Sequence, residues 1–195
     1  MVRAVNASGS SPVVRVPRNE AVWFDQALDA GAHGVMVPMV SDQRSAERAV
    51  ASARYPPHGS RSIGGYRAQY SFSVSRDEYL REAAGMIELW MQIENRIAVE
   101  NAEAIANVPG VTGLFVGPQD LAADLGLAPV IDPGHERFED ALEQLLRVSS
   151  RSGRPLGILT SDRASAERRI QQGFQIVAIS SDARILTTGG GALLR

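Results

Sequence analysis

The 195-residue chain contains no cysteine, which excludes disulfide scaffolds, thiolate metal sites and cysteine nucleophiles. It also lacks any run approaching the roughly 20 apolar residues that cross a bilayer. Residues 1–12 show no apolar core of the kind found in secretory signals. The sequence therefore predicts a soluble protein, and the cytoplasm is the expected location.

A strong excess of charge is missing as well. Lys and Arg number 20, Asp and Glu number 22, and the two signs are interleaved, giving a formal net charge of -2. This balance of charge gives no strongly basic segment of the kind that binds nucleic acid or an anionic membrane. A small-molecule partner is therefore favoured. Hydrophobic residues make up 44% of the chain, enough at this length for one domain with a sizeable core.

Apolar runs alternate with helical patterns along most of the chain. Each of six candidate strands is followed by helical sequence, which predicts a parallel sheet covered by helices. Residues 1–11 are small and polar and are predicted to form a flexible N-terminal arm, leaving 12–195 as a single domain. The candidate strands are 13–16, 35–39, 87–94, 111–120, 156–159 and 174–179.

Two architectures fit this alternation: an open doubly wound sheet and a closed (β/α)8 barrel. A doubly wound nucleotide-binding protein is expected to carry a glycine-rich phosphate turn, and neither GxGxxG nor GxxxxGK[ST] occurs. Polar residues instead follow many strands, as in barrels. The sequence therefore predicts a TIM-type (β/α)8 barrel with about six βα units, two short of closure. The strand-end residues are Arg15, Gln92, Glu94, Asp120, Thr160 and Asp182.

Two of the candidate strands each end in a lone carboxylate. Glu94 is the last residue of one predicted strand and Asp120 the last residue of the next, with a predicted helix over 95–108 between them. Because a strand, helix, strand unit places its strands parallel and side by side, these carboxylates can converge at one edge. Taken singly, each could serve only as an acid in a first helical turn. Taken together, they form an oxygen-rich site suited to Mg²⁺ or Mn²⁺.

The segments around these carboxylates resemble the HpcH/HpaI aldolase and citrate lyase family. The similarity lies in the sequences QIE at 92–94 and GPQDLAADLG at 117–126, and extends in collinear order to VVRVP at 13–17, VPMV at 37–40, RYPP at 54–57 and GIL at 157–159. It is strongest to the class II 2-oxo acid aldolases of the 2,4-dihydroxyhept-2-enedioate aldolase type, with macrophomate synthase a relative.

This resemblance implies a pyruvate- or phosphoenolpyruvate-binding type of barrel with a divalent cation, Mg²⁺ or Mn²⁺ and in some cases Co²⁺, held by Glu94 and Asp120. Arg15 would be catalytic and substrate-binding, Gln92 would contact the pyruvate side, and the backbone of Gly117, Pro118 and Gln119 would hold the substrate carboxylate. The implied activity is that of a carbon–carbon lyase, an aldolase or decarboxylase. It would act on a 2-oxo acid such as pyruvate or oxaloacetate through a metal-bound enolate. A homo-oligomer, from dimer to hexamer, is also implied.

The sequence departs from the family at its start. Relatives begin with two further βα units, the second carrying an Asp and a His that transfer protons, and the present sequence does not contain them. The expectation is a fragment, a misread gene start, a decayed copy or a barrel completed by a partner, with apolar edges exposed on the first and last strands. Two alternative functions follow: a truncated non-catalytic homologue that binds ligand or subunits, and a biosynthetic enzyme similar to macrophomate synthase.

No residue is assigned as the general base. Of the three histidines, His33 is expected to be structural, His135 to lie on the surface, and His58 is a weak candidate in the loop that follows the second helix. The loop residues Arg61, Tyr66, Arg67 and Tyr70 either contact the distal end of a substrate or face water in an exposed loop. Residues 183–195 are expected to reach a neighbouring subunit.

Overall fold

The strands form one parallel sheet in a computed structural model that describes residues 1–65 and 67–193. Their spatial order is the chain order, β1 to β6, with every neighbouring pair parallel. An open doubly wound sheet reverses its strand order at a switch point, which this sheet lacks, so the predicted incomplete barrel is confirmed. The strands are β1 (Val13–Arg15), β2 (Gly34–Val37), β3 (Glu88–Ile93), β4 (Gly113–Val116), β5 (Leu156–Thr160) and β6 (Ile176–Ile179).

Helices connect the strands and cover the outer face of the sheet. Within the described ranges, none of these helices is long and apolar enough to cross a membrane. They are α1 (Val2–Ala7), α2 (Ala21–Asp29), α3 (Gln43–Ala53), α4 (Ala68–Ser71), α5 (Arg76–Met86), α6 (Arg96–Glu100), α7 (Ala102–Ala106), α8 (Pro118–Asp124), α9 (Glu136–Ser152), α10 (Arg163–Gln172) and α11 (Asp182–Leu193).

Local sequence explains where several helices begin. Asp42 accepts a hydrogen bond from the Ser45 amide at 2.6 Å, and Asp162 accepts one from the Ser165 amide at 2.9 Å. In both helices the serine hydroxyl also interacts with the capping residue, forming a reciprocal capping box. These caps start α3 and α10 immediately after the strand-end loops, at the edge of the sheet where the strands finish.

The core lies between the central strands and their covering helices. Leu89, Ile93 and Leu114 are fully buried, as expected for strands covered on both faces. On the last strand, by contrast, Ile176 and Ile179 are 43% and 53% exposed. β1 and β6 each pair with a single neighbour, and the expected exposure of the outer strands is therefore observed.

Two predicted segments differ in detail. The helix predicted over 95–108 is divided at Asn101, whose backbone leaves the helical region (φ −93°, ψ 4°) and whose side chain donates to the Ser41 carbonyl at 3.0 Å. In the predicted arm over 1–11, α1 forms, and Asn6 Nδ2 donates to the carbonyl of Gly31 at 3.2 Å. The arm therefore contacts the domain; its flexibility, and the boundary at residue 12, stay predictions.

Candidate functional site

Glu94 is a buried carboxylate at the carboxyl end of β3. The Asn95 side chain caps α6 by accepting from the Ala98 amide at 2.8 Å, so the chain turns from strand to helix directly after Glu94. Glu94 is only 1% exposed, and its Oε1 accepts a hydrogen bond from the Met39 amide at 2.6 Å. Its Oε2 is buried without a hydrogen-bond partner among the described residues. Burying a carboxylate oxygen without a hydrogen-bond donor costs free energy. This oxygen is therefore suited to binding a ligand.

Asp120 lies beside Glu94, as the spacing of the two strands predicts. The predicted strand over 111–120 is wrong at its end: β4 stops at Val116, and Asp120 belongs to the first turn of α8, which Pro118 begins. Burial raises the pKa of Glu94, and the negative charge of Asp120 raises it further, whereas the Met39 amide and the charge of Arg15 act in the opposite direction. The negative charges of the two carboxylates therefore repel each other where little water reaches the Glu94 side chain. A bound cation would remove that repulsion.

Gly117 allows the two strand ends to approach closely. A Cβ atom at this position would lie 2.6 Å from Gln92 Nε2 and 2.6 Å from Glu94 Oε2. Real Cβ contacts are not this short, so any larger residue would displace both side chains. Glycine is thus required here by space rather than by backbone conformation, because φ is −90°.

The side chains of Arg15 on β1 and Gln92 on β3 form a hydrogen bond, although β2 lies between these two strands. Arg15 Nε donates to Gln92 Oε1 at 2.9 Å, although 77 positions separate them in the chain. Gln92 is 7% exposed, whereas Arg15 lies at the exposed end of β1. The bond fixes the Gln92 amide so that its Nε2 faces Gly117 and the carboxylate pair. Arg15, Gln92, Glu94 and Asp120 consequently occupy one edge of the sheet.

The segment 117–119 offers fewer backbone donors than its length suggests. The Gly117 amide already donates to the Ile93 carbonyl at 3.1 Å, and Pro118 has no amide hydrogen. The amide of Gln119 lies in the first turn of α8 and has no intrahelical acceptor. The Gln119 side chain turns away to the Pro129 carbonyl at 3.3 Å. Any backbone contact to a substrate carboxylate therefore relies on Gln119, and this contact stays a prediction.

The histidines lie away from the carboxylate pair. His33 Nε2 is 3.0 Å from the Ser71 carbonyl and its ring stacks on Phe72 at 4.4 Å, so its expected structural role is observed. His135 caps α9, with its Nδ1 accepting from the Arg137 amide at 3.2 Å. The described part of the chain thus places no histidine beside Glu94.

The loop after α3 lies at the opposite edge of the sheet. Arg54 donates to the carbonyl of Ile87, just before β3, and Arg61 forms an ion pair with Asp29 at 2.8 Å. This anchors the loop at the amino ends of the strands, so within this chain His58 and Arg61 do not approach the candidate site. Tyr66 lies outside the described residues.

Met39 was not predicted as a site residue. Its backbone has φ 55°, a left-handed conformation that costs a non-glycine residue about 1 kcal/mol. The conformation directs its amide to Glu94, 55 positions away. Because every non-proline residue has an amide hydrogen, no side-chain pattern in the sequence marks this contact.

The fold and the site together define a barrel-type α/β protein with a carboxylate pair at the carboxyl edge of its strands, the edge where such barrels place active sites. No cluster of three or more histidine, aspartate or glutamate residues suited to a metal ion occurs within 1–65 and 67–193.

The chain belongs to the HpcH/HpaI aldolase/citrate lyase family, whose profile matches residues 1–188. A 5-keto-4-deoxy-D-glucarate aldolase of Escherichia coli O6:H1 is 39% identical over 183 residues, which is 93% of this chain and 70% of that protein. The predicted family is thereby confirmed, and carbon–carbon lyases are among its members.

Solved structures show the same fold. A family member from Burkholderia cenocepacia J2315 superposes with a TM-score of 0.89 at 35% identity, covering 99% of this chain and 76% of that one. Macrophomate synthase gives a TM-score of 0.82 at 29% identity, covering 98% and 69%. The Mycobacterium tuberculosis citrate lyase beta subunit complexed with oxaloacetate and magnesium shares the fold alone, with a TM-score of 0.56 at 16% identity and coverage of 89% and 69%.

Proposed function

We propose that the protein is a metal-dependent carbon–carbon lyase that cleaves or decarboxylates a 2-oxo acid of the pyruvate type. The observation that carries this proposal is the buried Oε2 of Glu94, which has no hydrogen-bond donor among the described residues and lies beside the carboxyl group of Asp120. The E. coli relative named as an aldolase supports the same class of reaction.

The donor set fits a hard divalent cation. Glu94 and Asp120 supply two oxygen ligands, and Gly117 leaves room beside Glu94 Oε2 that a side chain would fill. Mg²⁺ or Mn²⁺ bound there would supply Lewis-acid polarisation of a carbonyl oxygen. The Met39 amide donates to Glu94 Oε1 and so fixes the orientation of the carboxylate, whose other oxygen has no donor in the part of the chain that the structure describes.

Arg15 and Gln92 have roles in binding and charge stabilisation. The Arg15 guanidinium is close enough to Glu94 to lower the pKa of that carboxyl, so it also stabilises negative charge that develops beside it. Gln92, held by Arg15 at 2.9 Å, presents an amide donor to a substrate oxygen. When the bond between C3 and C4 of a 4-hydroxy-2-oxo acid breaks, the C4 hydroxyl gives its proton to water and C4 leaves as an aldehyde, while the electron pair of the broken bond forms a C2–C3 double bond and places negative charge on the C2 oxygen. Arg15 and Gln92 can stabilise that charge.

A test of the metal site compares three variants in Mn²⁺ titrations by calorimetry. Glu94→Gln keeps the size of the side chain and removes its charge, and we expect Mn²⁺ affinity to fall by at least about 100-fold. Gly117→Ala should weaken binding by about 10-fold to 100-fold because it displaces Glu94 and Gln92.

Asp124→Asn is the matched control. Asp124 lies on α8 with Asp120 but accepts from the Arg96 amide at 2.8 Å, so its replacement should leave Mn²⁺ affinity unchanged. Pyruvate release from oxaloacetate and from 4-hydroxy-2-oxo acids is measured in parallel with the wild type. Equal Mn²⁺ affinity of the wild type and Glu94→Gln would contradict the proposal.

A second candidate function is ligand binding without turnover. It is favoured by one observation: the described residues place no histidine beside the carboxylate pair to act as a general base. Binding of Mn²⁺ and pyruvate with no cleavage of any tested 2-oxo acid would support this alternative. A macrophomate-synthase-like enzyme would differ in its acceptor, and substrate screening separates it from a simple aldolase.

A further inference from the structure

The loop after β2 has a strained backbone that its own side chain does not support. Met39 adopts a left-handed conformation with φ 55°, which a residue other than glycine keeps only where its surroundings impose it. The Met39 side chain is 61% exposed, so packing of that side chain does not impose the conformation. The constraint therefore comes from the residues on either side of Met39 and from the contacts that they make.

Two asparagine side chains hold the loop two residues beyond Met39. Asn95 Nδ2 donates to Ser41 Oγ at 2.9 Å, and Asn101 Nδ2 donates to the Ser41 carbonyl at 3.0 Å. Between Met39 and Ser41, the side chain of Val40 is fully buried. Directly after Ser41 the chain enters the capping box of α3. Ser41 is thus fixed by its own contacts and by the helix that follows, and Met39 has little freedom to turn its amide away.

The contact between Asn95 and Ser41 lies next to the hydrogen bond that orients the Glu94 carboxylate. Asn95 directly follows Glu94 in the chain. Ser41 lies two residues after Met39, whose amide donates to Glu94 Oε1 at 2.6 Å. The two hydrogen bonds therefore join the same two loops, one after β2 and one after β3. Without the bond from Asn95 these loops would be free to separate, and the Met39 amide would move away from Glu94.

Asn101 holds the same serine from the junction between α6 and α7. Its amide donates to the Ile97 carbonyl and its carbonyl accepts from the Ile105 amide, each at 3.0 Å, so backbone hydrogen bonds continue across the junction. The adjacent Ala102 is fully buried, which fixes the position of Asn101 further. Asparagine is a poor helix former, so local helix formation does not explain this residue. The bond to Ser41 does explain it, because it joins the loop to a rigid helix.

We propose that Asn95 and Asn101 are positioning residues for the metal site, because they hold Ser41 and thereby the loop that directs the Met39 amide at Glu94. The proposal rests on the proposed function, since it concerns the oxygen that Glu94 offers to a cation. With Oε1 bonded to the amide, the carboxylate keeps one orientation and presents Oε2 to the cation. Both asparagines act through the loop, and not by contact with the cation or the substrate.

The first test needs no metal and measures hydrogen exchange of the Met39 amide by NMR. Serine replaces each asparagine, because serine caps a helix as well as asparagine does but is too short to reach Ser41. In Asn95→Ser and in Asn101→Ser we expect the amide to exchange roughly tenfold faster than in the wild type. Asn107→Ser is the matched control, because Asn107 is exposed at the far end of α7. Exchange that is unchanged in either variant, or equally accelerated in Asn107→Ser, would overturn the proposal.

The amide of Leu114 in β4 serves as an internal reference for that experiment. It donates to the Pro155 carbonyl at 3.0 Å, at the end of the strands opposite the two loops. A general loss of stability would accelerate exchange of every protected amide, whereas a loss of positioning accelerates exchange at Met39. Faster exchange at Met39 with unchanged exchange at Leu114 is therefore the expected result. Equal acceleration of both amides would show a general structural role and overturn the proposal.

A double-mutant cycle tests whether Asn95 acts through the serine hydroxyl. Ser41→Ala removes Oγ and keeps the carbonyl that Asn101 uses. Exchange of the Met39 amide should therefore be no faster in Asn95→Ser/Ser41→Ala than in Asn95→Ser. In Asn101→Ser/Ser41→Ala it should be faster than in either single variant, because two separate contacts are lost. Additive effects of Asn95→Ser and Ser41→Ala would overturn the role of Asn95.

Mn²⁺ titrations by calorimetry connect the loop to the metal site. In Asn95→Ser and in Asn101→Ser we expect Mn²⁺ affinity to be about tenfold lower than in the wild type, whereas Asn107→Ser should bind as the wild type does. Faster Met39 exchange with unchanged Mn²⁺ affinity would overturn the link to the metal site. If the wild type binds no Mn²⁺, the proposed function fails, and the exchange rates still decide whether the two asparagines position the Met39 amide.

Discussion

The centre and the outer edge of the sheet are held together by different interactions. At the centre, Ile93 and Leu114 are fully buried, and the strand ends there carry Glu94 and Asp120. At the outer edge, Ile176 and Ile179 of β6 are 43% and 53% exposed. The candidate site therefore lies where apolar packing is most complete, and the precise placement that chemistry requires is supported by rigid neighbours.

Polar contacts replace much of that packing near the outer edge. Arg169 on α10 is 2% exposed and forms hydrogen bonds with Glu139 at 2.6 and 2.8 Å and with Asp132 at 3.0 Å. α10 packs against β5 and β6, so this network ties the last strands to α9 and to the loop before it. Stability at the centre should thus depend on side-chain volume, and stability at the edge on charge.

Matched isoleucine truncations test the difference directly and should show the largest effect. Ile93→Ala removes a fully buried side chain from β3 and should lower the free energy of unfolding by about 2–5 kcal/mol. Ile176→Ala removes a side chain that is 43% exposed on β6 and should cost less than half as much. Urea titrations followed by tryptophan fluorescence measure both values, and similar losses would show that the edge is packed as tightly as the centre.

The polar network should respond to pH. The hydrogen bond from Arg169 holds the pKa of Glu139 below its ordinary value of 4.5, so the stabilisation is fully present above about pH 4.5. It is lost as the pH falls through the lowered folded-state pKa, because the protonated carboxyl loses its pairing with Arg169. The difference in unfolding free energy between the wild type and Glu139→Gln should be at most about 1 kcal/mol near neutral pH, because Glu139 is partly exposed, and should shrink below pH 4.

Glu143→Gln is the control for that experiment. Glu143 lies on the same helix, but its side chain is 71% exposed and its pairing with Arg147 at 3.3 Å is solvated. Its replacement should change stability little at any pH. A pH dependence equal to that of Glu139→Gln would assign the effect to the net charge of α9 rather than to Arg169.

We expect the smallest effect on folding from a substitution in the exposed apolar surface of α11. On α11, Ile185 and Leu186 are 61% and 74% exposed, and we propose that this surface contributes to the predicted homo-oligomer. Leu186→Lys should reduce self-association in sedimentation velocity while changing the unfolding free energy of the subunit by no more than about 0.5 kcal/mol. Thr188→Lys adds the same charge to the same helix without removing an apolar group. Equal disruption by both variants would contradict a specific role for Leu186.

The order of strands could be predicted from the sequence because the alternation of apolar runs and helical patterns is a local signal. Such local signals mark α10, which has a capping box at its start and a left-handed glycine, Gly173 with φ 107°, after its end. The division of the helix over 95–108 was missed because it depends on a bond from Asn101 to the distant Ser41 carbonyl. Helix propensity is a property of the local sequence and does not predict such tertiary contacts.

The sequence by itself determined that Glu94 and Asp120 lie near the carboxyl ends of two neighbouring strands and meet at one edge of the sheet, because parallel βα units impose that geometry. Only the tertiary structure decided that the Met39 amide holds one oxygen of Glu94, that Gly117 leaves space beside the other, and that the histidines lie elsewhere. The physical reason is that strand and helix patterns arise from neighbours in the chain. The contacts of a site join residues that are brought together only when the sheet and its covering helices have packed.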